Sequence, residues 1–232
     1  MIPTNLLILG IGGLVSGILA GFLGIGGGTV MVPILVALGY QPIQGVATSA
    51  LAITIIATSG TLQNWRMGYI KPLRVLLLAL PALFTAQVGV YLAEQFSPTM
   101  LLLGFGLLML VNIYLFEFRK RIITKQKDDE NNGEKQQLGN PTIARIITGG
   151  TGGLLAGLFG VGGGVIMVPL QIILLGEPIK AAIQTSLGVI VVTSVSASLG
   201  HYLNGNVVFV EGLFLGFGLS LIHISEPTRQ AT

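Results

Sequence analysis

Long apolar runs separated by short polar interruptions dominate this chain of 232 residues. Runs of span length occur at residues 46–63, 75–93, 100–116 and 183–203, and a shorter one begins at 207 and stops near 221. A transmembrane helix needs about 20 apolar residues, at about 1.5 Å each, to cross about 30 Å of hydrocarbon. The pattern therefore predicts an all-α polytopic membrane protein whose surroundings are the lipid bilayer.

One glycine-rich stretch occurs twice. Residues 17–33, GILAGFLGIGGGTVMVP, return as residues 153–169, GLLAGLFGVGGGVIMVP, at an offset of 136, and 11 of these 17 positions are identical. Similarity at a fixed offset indicates duplicated structural units. We predict two homologous helical repeats, at residues 1–118 and 143–221, each beginning with a glycine-broken helix.

Charged residues make up only 9% of the chain, and most of the cations lie in one segment. Seven of the 12 Lys and Arg fall between Arg119 and Arg145, mixed with acidic and amide residues. This composition is typical of a solvated linker, which we assign to residues 119–142, and it argues against nucleic-acid binding. A second cationic cluster consists of Arg66, Lys71 and Arg74. Two spans separate it from the linker, so both lie on the same side of the bilayer, and the positive-inside rule predicts that this side is cytoplasmic.

Consecutive glycines inside an apolar helix predict a break, because each costs roughly 1 kcal/mol of helix stability and serves no packing stripe. In hydrocarbon, a break is tolerated only where it is buried in protein or lines a wet cavity. The helix that restarts after it directs unpaired amides and the positive end of its dipole toward mid-membrane, where a small anionic substrate can bind. The candidate substrate-binding residues at the two breaks are Gly24, Gly26, Gly27, Gly28, Thr29, Gly160, Gly162, Gly163 and Gly164.

Six other glycines stand at a spacing of four, which is typical of close helix–helix packing. They are Gly13, Gly17 and Gly21, and again Gly149, Gly153 and Gly157. We therefore expect Gly17→Leu to destabilise the protein. By contrast, we expect Gly27→Leu or Gly163→Leu to abolish transport while leaving folded protein.

Small hydroxyl residues open the span after each break. Thr48 and Ser49 match Thr185 and Ser186 at an offset of 137, and these four are further candidate substrate ligands, although such hydroxyls most often bond their own helix. Further along, Trp65 and Tyr202 match as interfacial anchors.

Other chemistry is sparse in this sequence. His201 is a candidate proton relay, the alternative being a polar residue at the membrane interface. The chain lacks cysteine and shows no carboxylate pair, metal cluster or nucleophile–base spacing. We predict no enzyme, no metal and no cofactor.

The topology of the broken segments stays open. As one straight helix, residues 5–38 would be about 50 Å long, so the segment must tilt, bend or double back. A single crossing would make the repeats parallel, and a re-entrant segment would make them inverted. The cation placement favours inversion, but Glu177 beside Lys180 weakens that argument.

These residues resemble the TauE/SafE family of sulfite and organosulfonate exporters and permeases. The resemblance rests on GFLGIGGGTVMVP with Ala47 to Ser49, on GLFGVGGGVIMVP with Gln184 to Ser186, and on the long polar linker. It implies a bacterial inner-membrane permease that moves a small sulfur oxyanion by secondary transport coupled to the proton gradient. The residues alone indicate only an anion, and the rival hypothesis is a membrane assembly or partner-binding subunit without transport.

The family pattern has a further span after the segment that begins at Val207, whereas the apolar pattern here stops near Leu221. We interpret the chain as truncated, with residues 222–232 as a polar tail of either vector or native origin. The particular anion, the direction of transport, the coupling ion and the oligomeric state stay open.

Overall fold

The computed structural model describes residues 28–129 and 140–216, with side chains described except in residues 115–129. Within these ranges the regular structure is helical. Seven helices follow one another: α1 (Gly28–Ala37), α2 (Pro42–Arg66), α3 (Pro72–Gln95), α4 (Pro98–Asp129), α5 (Pro141–Phe159), α6 (Gly164–Leu175) and α7 (Ile179–Leu203). Residues 209–216 are helical as well. The expected all-α membrane protein is confirmed.

Prolines explain where the long helices start. Pro42, Pro72 and Pro141 each occupy the first turn of their helix. Proline suits this position because its fixed φ is already helical and its missing N–H would have no intrahelical partner. The Asn140 side chain adds a cap by accepting a hydrogen bond of 3.0 Å from the Thr142 amide.

Four of the described helices, α2, α3, α5 and α7, are long and apolar enough to cross a membrane. Helix α4 contains the predicted run at residues 100–116 but continues to Asp129. Residues 119–129, assigned above to the linker, are therefore helical. The physical reason is that no glycine or proline interrupts residues 107–132, so the helix extends beyond its apolar part.

The second glycine-broken segment doubles back. Helix α5 ends at Phe159 and α6 begins at Gly164. A Cβ at Gly152 of α5 would collide with the Met167 side chain of α6, although a straight helix would separate these residues by about 22 Å. The start of α5 and the end of α6 also line one cleft. The segment forms a hairpin, as the re-entrant topology requires, which is one of the two that the sequence left open.

Helices α2 and α7, which match in sequence at an offset of 137, run antiparallel. Gly60 near the end of α2 lies beside Leu187 near the start of α7, whereas Ala50 and Ala197 belong to one core cluster. Similar turns follow the two helices: Gly68 and Gly205 both have positive φ, of 73° and 76°. Antiparallel packing of matching helices supports inverted repeats.

The glycines at a spacing of four bring α5 against α3. A Cβ at Gly149, Gly153 or Gly157 would collide with the carbonyl oxygen of Leu78, Ala82 or Ala86, respectively. Gly89 of α3 makes the reciprocal approach to α5. The packing assignment is confirmed for these three residues, while Gly13, Gly17 and Gly21 lie outside the described residues.

Large apolar side chains cover the outside of the bundle, as expected of helices in contact with lipid. On α3 and α4 the exposed ones include Leu73, Leu80, Phe84, Leu103, Leu107 and Ile113. Trp65 is 70% exposed and Tyr202 is 55% exposed, and both lie in the last turn of their helices. Their positions fit interfacial anchors.

Candidate anion site at the helix breaks

The second break is built from left-handed glycines. Gly160, Gly162 and Gly163 have φ values of 63°, 79° and 70°. Residues with a Cβ rarely adopt this conformation, so glycine is required to turn the chain from α5 into α6. Gly163 precedes the first turn of α6, and no side chain caps that helix start. An uncapped helix start of this kind is the feature that binds anions in other proteins.

Gly28, the first described residue of α1, lies against this second break. A Cβ on Gly28 would collide with the Gly160 carbonyl oxygen and would lie 2.9 Å from the Val161 Cα. Ile53 of α2 approaches both Gly28 and Gly162, and Ile190 of α7 also approaches Gly162. Gly28 and the break before α6 thus meet in the interior, between α2 and α7.

Ser49 connects α2 to the break. Its Oγ lies 2.8 Å from the Gly160 carbonyl oxygen and 2.9 Å from the Val46 carbonyl oxygen, and the residue is completely buried. The single hydroxyl proton serves these two acceptors. In this arrangement Ser49 satisfies the carbonyl that the end of α5 leaves unpaired, which is a support for the break.

The other three hydroxyl candidates are also buried. Thr48 Oγ1 accepts a hydrogen bond of 3.1 Å from the Val208 amide, and Ser186 Oγ accepts one of 2.7 Å from Gln171 Nε2. A hydroxyl that accepts can still donate, so both retain a proton for a substrate. Thr185 is 5% exposed beside Ser186. Elsewhere in α2, Thr54 and Thr58 bond carbonyls of their own helix four residues back, as the alternative interpretation expects.

Sequence analysis missed Gln171, which lies in the apolar run of α6 and is completely buried. Its Oε1 has no hydrogen-bond partner, and neither has the hydroxyl of the buried Thr148 in α5. Unpaired polar atoms are costly in a protein interior and indicate a place for a polar ligand or water. An amide within an apolar run was the signal that could have pointed to Gln171.

His201 lies in the last turn of α7 and is completely buried. Its Nε2 lies 2.9 Å from the Gly157 carbonyl oxygen, so Nε2 donates, and its Nδ1 has no partner. Asn206, which donates a hydrogen bond of 2.9 Å to Glu94, follows shortly after in the chain. The imidazole therefore faces α5, and its two interpretations, a proton relay and a polar residue near the interface, stay predictions.

Polar contacts lie at both ends of the bundle. We call them the Arg74 end, where α3, α5 and α7 start, and the Glu211 end, where α3 and α7 finish. At the first, Arg74 pairs with Glu177 at 3.0 Å. Arg74 and Arg145 line one cleft of about 140 Å³, so the two predicted cation clusters share one end.

At the Glu211 end, the Tyr40 hydroxyl donates a hydrogen bond of 2.9 Å to Glu211. Burial, this hydrogen bond and the negative charge of Glu211 raise the pKa of Tyr40. All three causes disfavour a phenolate, so Tyr40 remains protonated and able to donate at neutral pH.

Several predicted site residues fall beyond this description or behave differently. Gly24, Gly26 and Gly27 lie outside the described residues, and Thr29 is buried in the first turn of α1. The expectation that Gly163→Leu leaves folded protein is wrong. Gly163 has positive φ, and a Cβ there would collide with the Gly152 carbonyl, so the substitution would disrupt the hairpin itself.

Apolar spans, a hairpin at a glycine break and two short apolar helices define a polytopic membrane protein with discontinuous helices. The family model for the sulfite exporter TauE/SafE matches residues 9–223, so the chain belongs to this family. It is a membrane transporter of the TauE/SafE type.

Curated relatives agree with this class. A probable membrane transporter protein of Bacillus subtilis, YunE, is 28% identical over 229 residues, covering 91% of this chain and 83% of that protein. One of Methanocaldococcus jannaschii is 28% identical, covering 92% and 77%, and one of Xylella fastidiosa is 27% identical, covering 95% and 85%. No solved structure matches this chain.

Proposed function

We propose that this protein is a secondary transporter, without enzymatic activity, that carries a small anion across the bacterial inner membrane. The proposed substrate is sulfite, which the family description names, or an organosulfonate, which the family resemblance implies. The observation that carries the proposal is the turn of left-handed glycines, Gly160 to Gly163, from which α6 begins without a side-chain cap. Helix starts present amide donors and partial positive charge, which hold an anion without a buried cation.

Two buried hydroxyls, those of Thr48 and Ser186, are further proposed ligands. Thr48 accepts a hydrogen bond from the Val208 amide and Ser186 accepts one from Gln171 Nε2, and each keeps its own proton to donate. The Oε1 of Gln171 has no partner. Ser49 holds the break in place, and His201 is the proposed proton relay because it is buried with a free ring nitrogen. The cationic Arg74 end is the proposed cytoplasmic side, following the positive-inside rule.

The function is tested by flux measurements with the purified protein in liposomes. Sulfite, sulfoacetate, chloride and acetate fluxes are compared with and without an imposed pH gradient. Gradient-dependent flux of a sulfur oxyanion is the expected result. If well-folded protein moves no anion under either condition, the hypothesis of a non-transporting assembly subunit takes its place.

The site at the breaks is tested with Gly164→Ala. A Cβ at Gly164 would meet only the Ile190 side chain, chiefly its terminal Cδ1, which can turn away. We therefore expect folded protein with a large loss of flux, because the methyl group narrows the start of α6. The matched control is Gly150→Ala, whose Cβ would lie 3.7 Å from Thr85 Cγ2 in ordinary contact. Equal flux in the two variants would contradict a site at the start of α6.

The hydroxyl ligands are tested with Thr48→Val and Ser186→Ala. One hydrogen bond to a charged ligand is worth about 1.5–3 kcal/mol, so each change should raise KM about tenfold or more. Each change also leaves one N–H without its acceptor, that of Val208 or of Gln171, and should lower stability by about 1–3 kcal/mol, so KM is measured on protein shown to be folded. Thr58→Val on the same helix is the control, since Thr58 is exposed and bonds only the Thr54 carbonyl of its own helix. A control that loses as much substrate affinity would reject the assignment.

A further inference from the structure

The Arg74–Glu177 and Tyr40–Glu211 contacts are related to each other by the offset of 137. Glu211 follows Arg74 by 137 residues, and Glu177 follows Tyr40 by 137 residues. Exchanging the two halves of the chain therefore converts one contact into the other. Sequence identity does not reveal this relation, because the offset aligns Tyr40 with Glu177 and Arg74 with Glu211, which are different residue types.

Each contact joins the far end of a half-helix to the first turn of a helix from the other half. Glu177 follows α6 and bonds Arg74 at the start of α3. Tyr40 follows α1 and bonds Glu211 within residues 209–216. The opposite end of each half-helix, Gly164 or Gly28, lies in the interior near the breaks.

The two contacts lie at opposite ends of the bundle. Helix α3 carries Arg74 in its first turn and Glu94 in its last, and Glu94 bonds Asn206 at the Glu211 end. A helix of 24 residues is about 36 Å long, comparable to the thickness of a membrane. One contact therefore faces each side of the bilayer.

Neither contact is built to be permanent. Arg74 bonds one oxygen of Glu177 and the other oxygen has no partner, so the pair is not bidentate. Tyr40 makes a single neutral-to-charged hydrogen bond. Each is one partly buried polar contact, whereas three successive glycines hold α5 against the backbone of α3.

We infer that these two contacts are latches that position the half-helices, and that release of one latch lets its half-helix move and opens the breaks to that side only. The inference rests on the proposed transport function, since opening to alternate sides is what moves a substrate. Both latches are closed in this structure. The Arg74–Glu177 latch controls α6, and the Tyr40–Glu211 latch controls α1.

Thiol accessibility tests the latches without any substrate, and the absence of native cysteine makes the chain a clean background. Ser186 lies on α7 and contacts Gln171 of α6, so Ser186→Cys reports on movement of α6. Ser49 lies on α2 and contacts Gly160, so Ser49→Cys reports on the break. Both positions are almost fully buried. A membrane-impermeant thiol reagent is applied to each side of oriented vesicles. We expect Glu177→Gln to raise labelling of the Ser186→Cys protein several-fold from the Arg74 end only.

The reciprocal variant is the matched control. Tyr40→Phe should raise labelling of the Ser49→Cys protein from the Glu211 end only, and the double charge exchange Arg74→Glu with Glu177→Arg should return labelling at Ser186→Cys toward the starting level. A merely structural contact would change labelling equally from both sides or not at all. Either of those results overturns the latches.

Cross-linking in the flux assay separates the latches from the transport function. Cysteines are introduced in pairs, at Arg74 and Glu177 or at Tyr40 and Glu211. Joining a pair with a short bifunctional reagent that forms disulfides should stop flux, and reducing the disulfides should restore it. Undiminished flux through a fully cross-linked pair overturns the latches but keeps the transporter. One-sided labelling shifts in a protein that moves no anion support the latches as moving elements and reject transport.

Discussion

Two sets of three glycines, at neighbouring positions in the same hairpin, do different physical work. Gly149, Gly153 and Gly157 lie in regular helix, and glycine is needed there because the backbone of α3 occupies the space of a Cβ. At Gly160, Gly162 and Gly163 φ is positive, and at Gly160 and Gly163 a backbone carbonyl also occupies the place of a Cβ. A glycine in a membrane helix is thus explained by its neighbours, by its own dihedral angles or by both, and Gly162, which meets only side chains, shows the effect of the dihedral angle most directly.

The largest effect is expected where a helix backbone blocks the Cβ. Gly153→Leu should lower the free energy of unfolding by at least about 3 kcal/mol, because the added atoms cannot fit beside the Ala82 carbonyl without separating α3 from α5. The measurement is the yield of monodisperse protein in detergent together with unfolding by SDS titration. Wild-type yield and stability would show that α3 and α5 do not pack as described.

A smaller loss is expected at the break itself. Gly162→Ala should cost about 1–2 kcal/mol for the left-handed conformation, and somewhat more because its Cβ would lie 3.0 Å from Ile53 Cγ2. The control is Gly68→Ala, at φ of 73° with open space around the Cβ, which isolates the conformational cost. The difference between the two variants in SDS titration measures crowding at the break. A difference of zero would mean that Ile53 and Ile190 leave the break loosely packed.

The smallest effect is expected one residue from the packing stripe. Gly150→Ala should leave stability unchanged or raise it by up to about 1 kcal/mol, since alanine favours the helix and the new Cβ would lie 3.7 Å from Thr85 Cγ2. The same SDS titration, run beside Gly149→Ala, checks this. If both substitutions cost the same, helix propensity rather than contact with α3 would govern these glycines.

The sequence predicted the elements of the site better than their partners. The break before α6 follows from three consecutive glycines, and the stripe on α5 follows from a spacing of four, because each pattern has a local physical cause. The partners of Ser49, Ser186 and His201 were not predictable. Each forms its hydrogen bond with a residue of another helix or of the break: Ser49 with Gly160, Ser186 with Gln171 and His201 with Gly157. Even the shortest of these separations, between Ser186 and Gln171, is 15 residues.

Local composition was also a poor guide to where a helix ends. Residues 119–129, assigned to the polar linker, continue α4, since polar composition does not end a helix in the absence of glycine or proline, and the linker assignment itself stays a prediction. For another reason, Gly163→Leu was expected to report on the site alone. The sequence could not show that the Gly152 carbonyl lies where the new side chain would go.

By itself, the sequence determined the membrane environment, the helical class, the family resemblance and the presence of a break before α6, because composition, periodicity and local backbone preference act along the chain. The tertiary structure decided that α6 folds back along α5, that α2 and α7 run antiparallel, and that Gly28 meets Gly160. These are contacts between residues far apart in sequence. They depend on which surfaces fit together in three dimensions, and no local pattern specifies that.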